Sequence, residues 1–347
     1  MIIEIAQDAP SSTMAAIMQA AEDHRLVANS LTNEHGATVV GIGGSLPSDR
    51  LDLPGIARVV AAHKPYMLAS SEMRGPSIVM VGEVAVGDGT PVTMAGPCVI
   101  EGRDSLIENA LLVREAGARI LRGGAYKPRT SPYSFQGLGE EGLRYLAEAR
   151  ELTGMPVVTE VMEPDQVELV AEYADMLQIG SRNMANFPLL KKAGKSTRPV
   201  LLKRGFSATL EEFLMSAEYI LSHGNPNVIL CERGIRGFDS AFRFNLDLNA
   251  VPALKELTHL PVIVDPSHGT GRRSLVPRMA MAGMAAGADG LILEVHPDPD
   301  SAMCDAAQTI TPATLAQIQR GVEALHGALT PVFEPMRAPE PMVAAAD

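Results

Sequence analysis

From residue 92 onward, reactive side chains recur at one kind of place, the end of a short apolar run. Cys98 follows VTMAGP, Arg122 closes RILR, and the run Lys127-Pro128-Arg129-Thr130 comes soon after. Glu160 closes VVTE, Arg182 follows MLQIGS, Lys203 closes VLLK and Arg233 follows VILCE. Asp265 and His268 come after VIV, Glu294 closes LILE, and Asp305 lies in the segment beyond. Two chemistries separate. Cys98, His268, Glu294 and Asp305 offer one thiol, one imidazole and two carboxylates, a mixed donor set that suits Mn²⁺, Fe²⁺, Co²⁺ or Zn²⁺ without choosing among them. Arg122, Lys127, Arg129, Arg182, Lys203 and Arg233 are cations that would repel one another unless polyanions sat among them. Arginine forks match phosphate and carboxylate.

Each residue also has a plainer reading. An isolated buried cysteine is more often a small core residue, and an arginine after a strand is more often a solvated or salt-bridged surface group. Independent accidents would not set both kinds at consecutive run ends, so the joint reading is functional. His296, two residues beyond Glu294, is equally readable as a group supporting the donor set or as a structural one.

The elements that must position these residues follow from periodicity. Eight β-runs, at 92–98, 119–124, 156–161, 175–180, 199–205, 227–234, 261–269 and 289–297, alternate with amphipathic helical stretches such as SLIENALLVREAG. That pattern predicts a (β/α)8 barrel over 91–330, whose active site lies at the C-terminal strand ends. An open doubly wound sheet fits less well, because GPCVIEG lacks the expected GxGxxG turn. Residues 1–66 read as a separate small α+β module of ferredoxin-like βαββαβ pattern. Its first helix starts at Ser11 or Ser12 as N-cap, its hairpin turns at Glu34-His35-Gly36, and a second short helix precedes a strand near Ala57–Ala61. Residues 67–90 form a linker with one hairpin turning at Asp88-Gly89. The Pro/Ala-rich segment 331–347 reads as a disordered tail.

The 347 residues carry a formal net charge of −12, with 46% hydrophobic and 20% charged residues. This argues against nucleic-acid or membrane-surface partners. Three separated cysteines, no CxxC and no secretory leader predict a cytoplasmic protein with reduced thiols. No apolar run approaches the roughly 18 residues a membrane span needs.

The motifs AGPC, LRGGAYKPRTSPYSFQGLGEEGL, QIGSRNMANFPLL, PVLLKRGF, ILCERGIR, VDPSHGTGRR and LEVHPDPDSAMCDAAQ together resemble the 3-deoxy-D-arabino-heptulosonate 7-phosphate (DAHP) synthases. The branch is type I-beta, which carries an N-terminal ferredoxin-like (ACT-like) regulatory domain. The resemblance runs from about Ala95 to Gln308. It implies a metal-dependent aldol-type condensation of phosphoenolpyruvate with erythrose 4-phosphate, the opening step of the shikimate pathway. It makes Cys98, His268, Glu294 and Asp305 the metal ligands, with Mn²⁺ expected first. Arg122, Lys127, Arg182, Lys203 and Arg233 would hold phosphoenolpyruvate, while Lys127, Pro128, Arg129, Thr130 and Asp265 would hold erythrose 4-phosphate. Lys127, or Glu160 through a water, would move the proton. The resemblance further implies a tyrosine or phenylalanine effector on the small module and a homotetramer or homodimer. Two alternatives stand: 3-deoxy-D-manno-octulosonate 8-phosphate synthase, which takes arabinose 5-phosphate, and a catalytically silent amino-acid sensor. The KPRT run favours the four-carbon sugar.

Overall fold

A computed structural model describes residues 1–32, 38–61, 63–129, 131 and 133–333. Eight parallel strands close into a barrel: β7 (Val92–Gly96), β8 (Ile120–Arg122), β9 (Val157–Glu160), β10 (Met176–Ile179), β11 (Val200–Lys203), β12 (Val228–Glu232), β13 (Val262–Val264) and β14 (Gly290–Glu294). The strands are shorter than the apolar runs suggested. In the seventh run the segment after Val264 is helix α8 (Pro266–Thr270), because Asp265 caps it with a side chain that accepts the His268 N–H. The other barrel-side helices are α2 (Arg103–Glu115), α3 (Glu140–Thr153), α4 (Val167–Tyr173), α5 (Phe187–Ala193), α6 (Leu210–Leu221), α7 (Ala250–Leu257), α9 (Val276–Ala285) and α10 (Pro312–Leu329). Among the described residues no helix is long and apolar enough to cross a membrane.

Alternation divides each barrel strand between two cores. Met94, Ile120, Val158, Met176, Leu201, Ile229, Ile263 and Ile292 fill the barrel interior. Their neighbours, such as Ala95, Leu121, Val157, Leu177, Leu202 and Leu230, face the helices. The floor is plugged by a hairpin, β5 (Val79–Val81) and β6 (Val84–Val86), whose valines join the interior core. Val81 pairs with Val84, so the hairpin turns at Gly82-Glu83 and not at Asp88-Gly89. The valine alternation fixes this register, and Gly82 supplies the positive φ of 56° that the tight turn needs. Asp88 and Gly89 form a later turn, in which the Asp88 carboxylate accepts the Thr90 N–H.

The N-terminal strands β1 (Ile2–Ile5), β2 (Ala28–Thr32), β3 (Thr38–Ile42) and β4 (Ile56–Val60) make an antiparallel sheet of order β2-β3-β1-β4, the ferredoxin-like order. Helix α1 (Ser11–Asp23) covers one face and buries Ile17, Ala20 and Ala21 against Ile3, Ile5, Val40 and Ile42. Two expectations fail here. Neither Ser11 nor Ser12 caps α1, which starts after Pro10 with no side-chain cap. The second helix is a single 3-10 turn, Ser48–Arg50, because Pro47, Pro54 and Gly55 leave no room for regular helix. The turn expected at 34–36 and the tail from 334 lie outside the described residues. On the sheet's other face Ile2, Leu31 and Val39 join Tyr66, Leu68 and the outer barrel core.

Candidate active site

The barrel's reactive layer is the apolar layer continued by one step of alternation. Two residues beyond the last inward apolar side chain of each strand, which on β12 is Cys231, stand Gly96, Arg122, Glu160, Gln178, Lys203, Arg233, Asp265 and Glu294. The pleat therefore aims all of them at the axis, at the C-terminal end of the barrel. Gly96 offers no side chain. The other seven are at most 8% exposed.

Arg122, Glu160, Gln178, Lys203 and Arg233 of this layer line a cavity of about 270 Å³, together with Lys127 and Arg182. Arg122 donates to the Pro97 carbonyl at 2.6 Å and lies 3.4 Å from Glu294, while its buried Nε has no partner among the described residues. None of Lys127, Arg182 and Arg233 ion-pairs with a carboxylate among the described residues; the Arg182 and Arg233 guanidiniums lean on the Phe206 ring. Burial pulls the Arg233 guanidinium down to about 10, which leaves it charged at neutral pH. Burial also opposes the charge on Lys127, but the Cys98 sulfur and Glu294 outweigh it and raise the ammonium above its usual range. Lys127 and Arg233, buried in this wall without a carboxylate partner among the described residues, leave it chemically incomplete without an anion.

The donor set sits at one side of the same cavity. His268 Nε2 is 3.4 Å from Glu294 Oε1 and 3.9 Å from Asp305 Oδ2; Cys98 Sγ is 3.4 Å from Asp305 Oδ2. Donors bound at 2.0–2.3 Å around one ion stand roughly 3–4 Å apart. His268, Glu294 and Asp305 lie within 4.8 Å of one another, Cys98 meets that limit with Asp305 and Cys304, and Asp305 joins the two groups that could hold a metal ion. Asp265 accepts from His268 Nδ1 at 2.7 Å, turning Nε2 toward the other donors, and from Lys203 Nζ at 2.5 Å. Burial lowers the His268 imidazole and favours its neutral, ligating form. Asp265 itself is 1% exposed and lies beneath the cavity, not in its wall. Burial pushes the Cys98 thiol well up, and its hydrogen bond with Cys304 lowers the Cys304 thiol. Asp305 holds a left-handed φ of 50°, rare for a residue with a side chain and typical of a constrained functional position.

Pro128 and Arg129 line the cavity mouth, whereas Thr130 lies outside the described residues. Glu160 lines the cavity beside Gln178, 3.4 Å from its Nε2. Gly180 lets the Glu160 carboxylate lie against the backbone there, since a Cβ would displace it. Arg204 turns away from the cavity to Glu232 and Asp247 and serves the fold. His296 faces Glu101, Nε2 to Oε2 3.7 Å, outside the cavity wall. Sequence reasoning missed Gln178, Phe206, Arg243 and Cys304. Arg243 reaches across the mouth to Asp305 at 3.2 Å and Gln308 at 2.9 Å. Only Gln178 carried a usable signal, its place in the i, i+2 series.

Fold and mouth define a class: a (β/α)8 barrel with residues that could hold a metal ion beside a cation-lined cavity. The chain belongs to the DAHP synthetase I family, which it matches over residues 66–329. It is 46% identical over 334 residues to the phospho-2-dehydro-3-deoxyheptonate aldolase of Thermotoga maritima, spanning 95% of this chain and 98% of the relative. A 2-dehydro-3-deoxyphosphooctonate aldolase of Bradyrhizobium diazoefficiens is 35% identical over 258 residues, 68% of this chain and 90% of that protein. The crystal structure of the Thermotoga maritima DAHP synthase superposes with a TM-score of 0.76, covering 94% of this chain and 97% of that one at 45% identity. A truncated form of the DAHP synthase from the same organism gives 0.72, covering 76% and 97% at 49% identity.

Proposed function

We propose that this chain condenses phosphoenolpyruvate with erythrose 4-phosphate and water to give DAHP and phosphate. One observation supports the reading: a single cavity is walled by Arg122, Lys127, Arg182, Lys203 and Arg233 and by His268 and Asp305, with Glu294 3.4 Å from His268 and Cys98 3.4 Å from Asp305. Arg122, Lys127, Arg182, Lys203 and Arg233 hold the phosphate and carboxylate of phosphoenolpyruvate, with the free Arg122 Nε an obvious donor for them. Arg129, with Lys127, Pro128 and Thr130, holds the sugar phosphate at the mouth. A divalent ion bound by the four donors supplies Lewis acidity toward the aldehyde oxygen. C3 of the enolpyruvate attacks the aldehyde carbon, water adds at C2, and the tetrahedral adduct expels phosphate by C–O cleavage. Lys127, kept charged by its neighbours, is the proton donor to the new hydroxyl oxygen. Glu160 takes the proton of the water that adds at C2. Asp265 acts by positioning His268 and Lys203.

The preference for erythrose 4-phosphate over arabinose 5-phosphate rests on the KPRT run and on the higher identity to the heptonate aldolase. We expect kcat/KM to favour the four-carbon sugar at least about tenfold, a difference of roughly 1.4 kcal/mol. The test is phosphate release with phosphoenolpyruvate and each sugar, before and after chelation. Release that ignores the chelator contradicts the metal reading; equal rates with both sugars contradict the substrate reading.

None of the described residues among 1–66 lines the cavity. We propose that they form a regulatory unit, that 67–90 tie it to the barrel, and that tyrosine or phenylalanine bound between copies in a homotetramer or homodimer slows turnover. A coupling of about 1–3 kcal/mol would give 5–150-fold inhibition. Activity unchanged by millimolar tyrosine or phenylalanine would leave the unit purely structural.

A further inference from the structure

Cys304 precedes Asp305 in the loop after β14, and its sulfur faces the donor set. The sulfurs of Cys98 and Cys304 and a carboxylate oxygen of Asp305 all lie within 4.8 Å of one another. A second group, His268, Glu294 and Asp305, meets the same limit, so Asp305 belongs to both. Cys304 is 4% exposed, lines the substrate cavity, and receives a hydrogen bond from the Arg129 guanidinium. Packing alone explains only part of this. The Cys304 side chain touches Val99 and Phe135, as a small apolar residue would. Its sulfur, however, is turned toward Cys98, Asp305 and a cation, where an apolar side chain would gain nothing.

We propose that Cys304 is a second sulfur donor to the metal, so that the ion is held by Cys98, Cys304, His268, Glu294 and Asp305. The inference rests on the metal site proposed above and adds one ligand to it. Two sulfurs bound at about 2.3 Å to one ion stand roughly 3.7–4.6 Å apart, which the observed separation permits. A second soft donor also moves the site's preference from Mn²⁺ toward Zn²⁺, Co²⁺ and Fe²⁺. Arg129 then touches both the sugar phosphate and a ligand, linking occupation of the mouth to the metal.

The experiment loads the chelator-stripped full chain with Co²⁺ and records the near-ultraviolet sulfur-to-cobalt charge-transfer band beside the visible ligand-field bands. The wild type should show the intensity of two sulfurs. Cys304→Ser and Cys98→Ser should each show about half, with ligand-field bands still present, and the double variant should show none. An unchanged charge-transfer band in Cys304→Ser overturns the second ligand and leaves the metal site standing. Absence of any cobalt spectrum in the wild type overturns the metal site itself. Peptide mapping of iodoacetamide-labelled wild type is independent of variant folding: Co²⁺ should protect both Cys98 and Cys304. Protection of Cys98 alone would overturn the proposal.

Discussion

Buried polar groups gather in two regions of this molecule, one hydrogen-bonded throughout except at Glu72 Oε2 among the described residues, the other leaving cations uncompensated. Along the barrel flank, residues 68–77 are stitched to the segment before β13. His259 there is fully buried, with Nδ1 accepting from Ser77 Oγ at 2.6 Å and Nε2 donating to the Leu68 carbonyl at 2.8 Å. The Ser77 N–H donates to the His259 carbonyl at 2.7 Å, and Glu218 of α6 accepts the Leu68 and Ala69 N–H groups at 2.8 Å each. At the mouth, Arg122 Nε has no partner among the described residues, and buried Lys127 and Arg233 lack a carboxylate among them. Satisfied burial builds structure, whereas unsatisfied burial of charge is sustained only where a ligand completes it. The two regions should therefore answer substitution in different currencies, stability in one and activity in the other.

The largest effect is expected at His259. Burial pulls its pKa from 6.5 down to about 3, so the unfolded chain binds the extra proton between those values. Its contribution is full above about pH 6.5 and is lost as pH falls toward 3, on the order of 3–5 kcal/mol. His259→Leu should lose that pH dependence and destabilise the fold at neutral pH while kcat holds; urea midpoints from pH 4 to 8 check it. A large loss of kcat with normal stability would break the comparison. Next comes Arg122→Met at the mouth. We expect kcat/KM to fall by about 10²–10³ with an unchanged or raised melting temperature. Unfolding of this variant would make Arg122 a structural residue like His259.

A smaller effect belongs to Asp265, which touches no cavity space. Asp265→Asn should weaken metal binding by about 10–100-fold through loss of the His268 orientation, read by titrating the stripped protein with Mn²⁺ or Co²⁺. Unaltered metal affinity would detach it from the site. Asp265 also shows what the sequence could tell. Its place at a strand end was legible, because seven of the eight apolar runs continue by two residues into a polar one, Gly96 being the exception. Its role was not, because spacing does not say whether a carboxylate faces the cavity or lies beneath it. Cys304 and Arg243 were invisible for a related reason, since they lie in loops where no period aims the side chain. The N-terminal helix that became one 3-10 turn was expected from the symmetry of a fold pattern, and Pro47 and Pro54 overrode it. The hairpin turn was misplaced because Asp-Gly is a strong turn signal, while the valine alternation that decides the register was read only as strand.

The smallest effect tests the flank again, at Glu218. Burial raises this carboxyl from 4.5 to about 7, and the backbone N–H bonds from Leu68, Ala69 and Met67 only partly oppose the rise. The folded chain therefore keeps a proton between pH 4.5 and 7 that the unfolded chain has released. Stability is fully present below about pH 4.5 and is lost as pH rises through 7. The slope is opposite in sign to that of His259, although both residues hold the same ten-residue strap at 68–77. After allowance for relaxation and water near a group so close to the surface, the ionised form should cost about 1–2 kcal/mol. Glu218→Gln keeps one oxygen acceptor and removes the titration. It should be less stable than wild type at pH 5, where it loses one N–H bond, and should draw level or ahead at pH 8. Urea midpoints of the two proteins at both pH values, with kcat as control, decide the matter. Parallel pH profiles would mean that Glu218 is already ionised in the folded chain and that the strap is held by charge, as the mouth's ligands are.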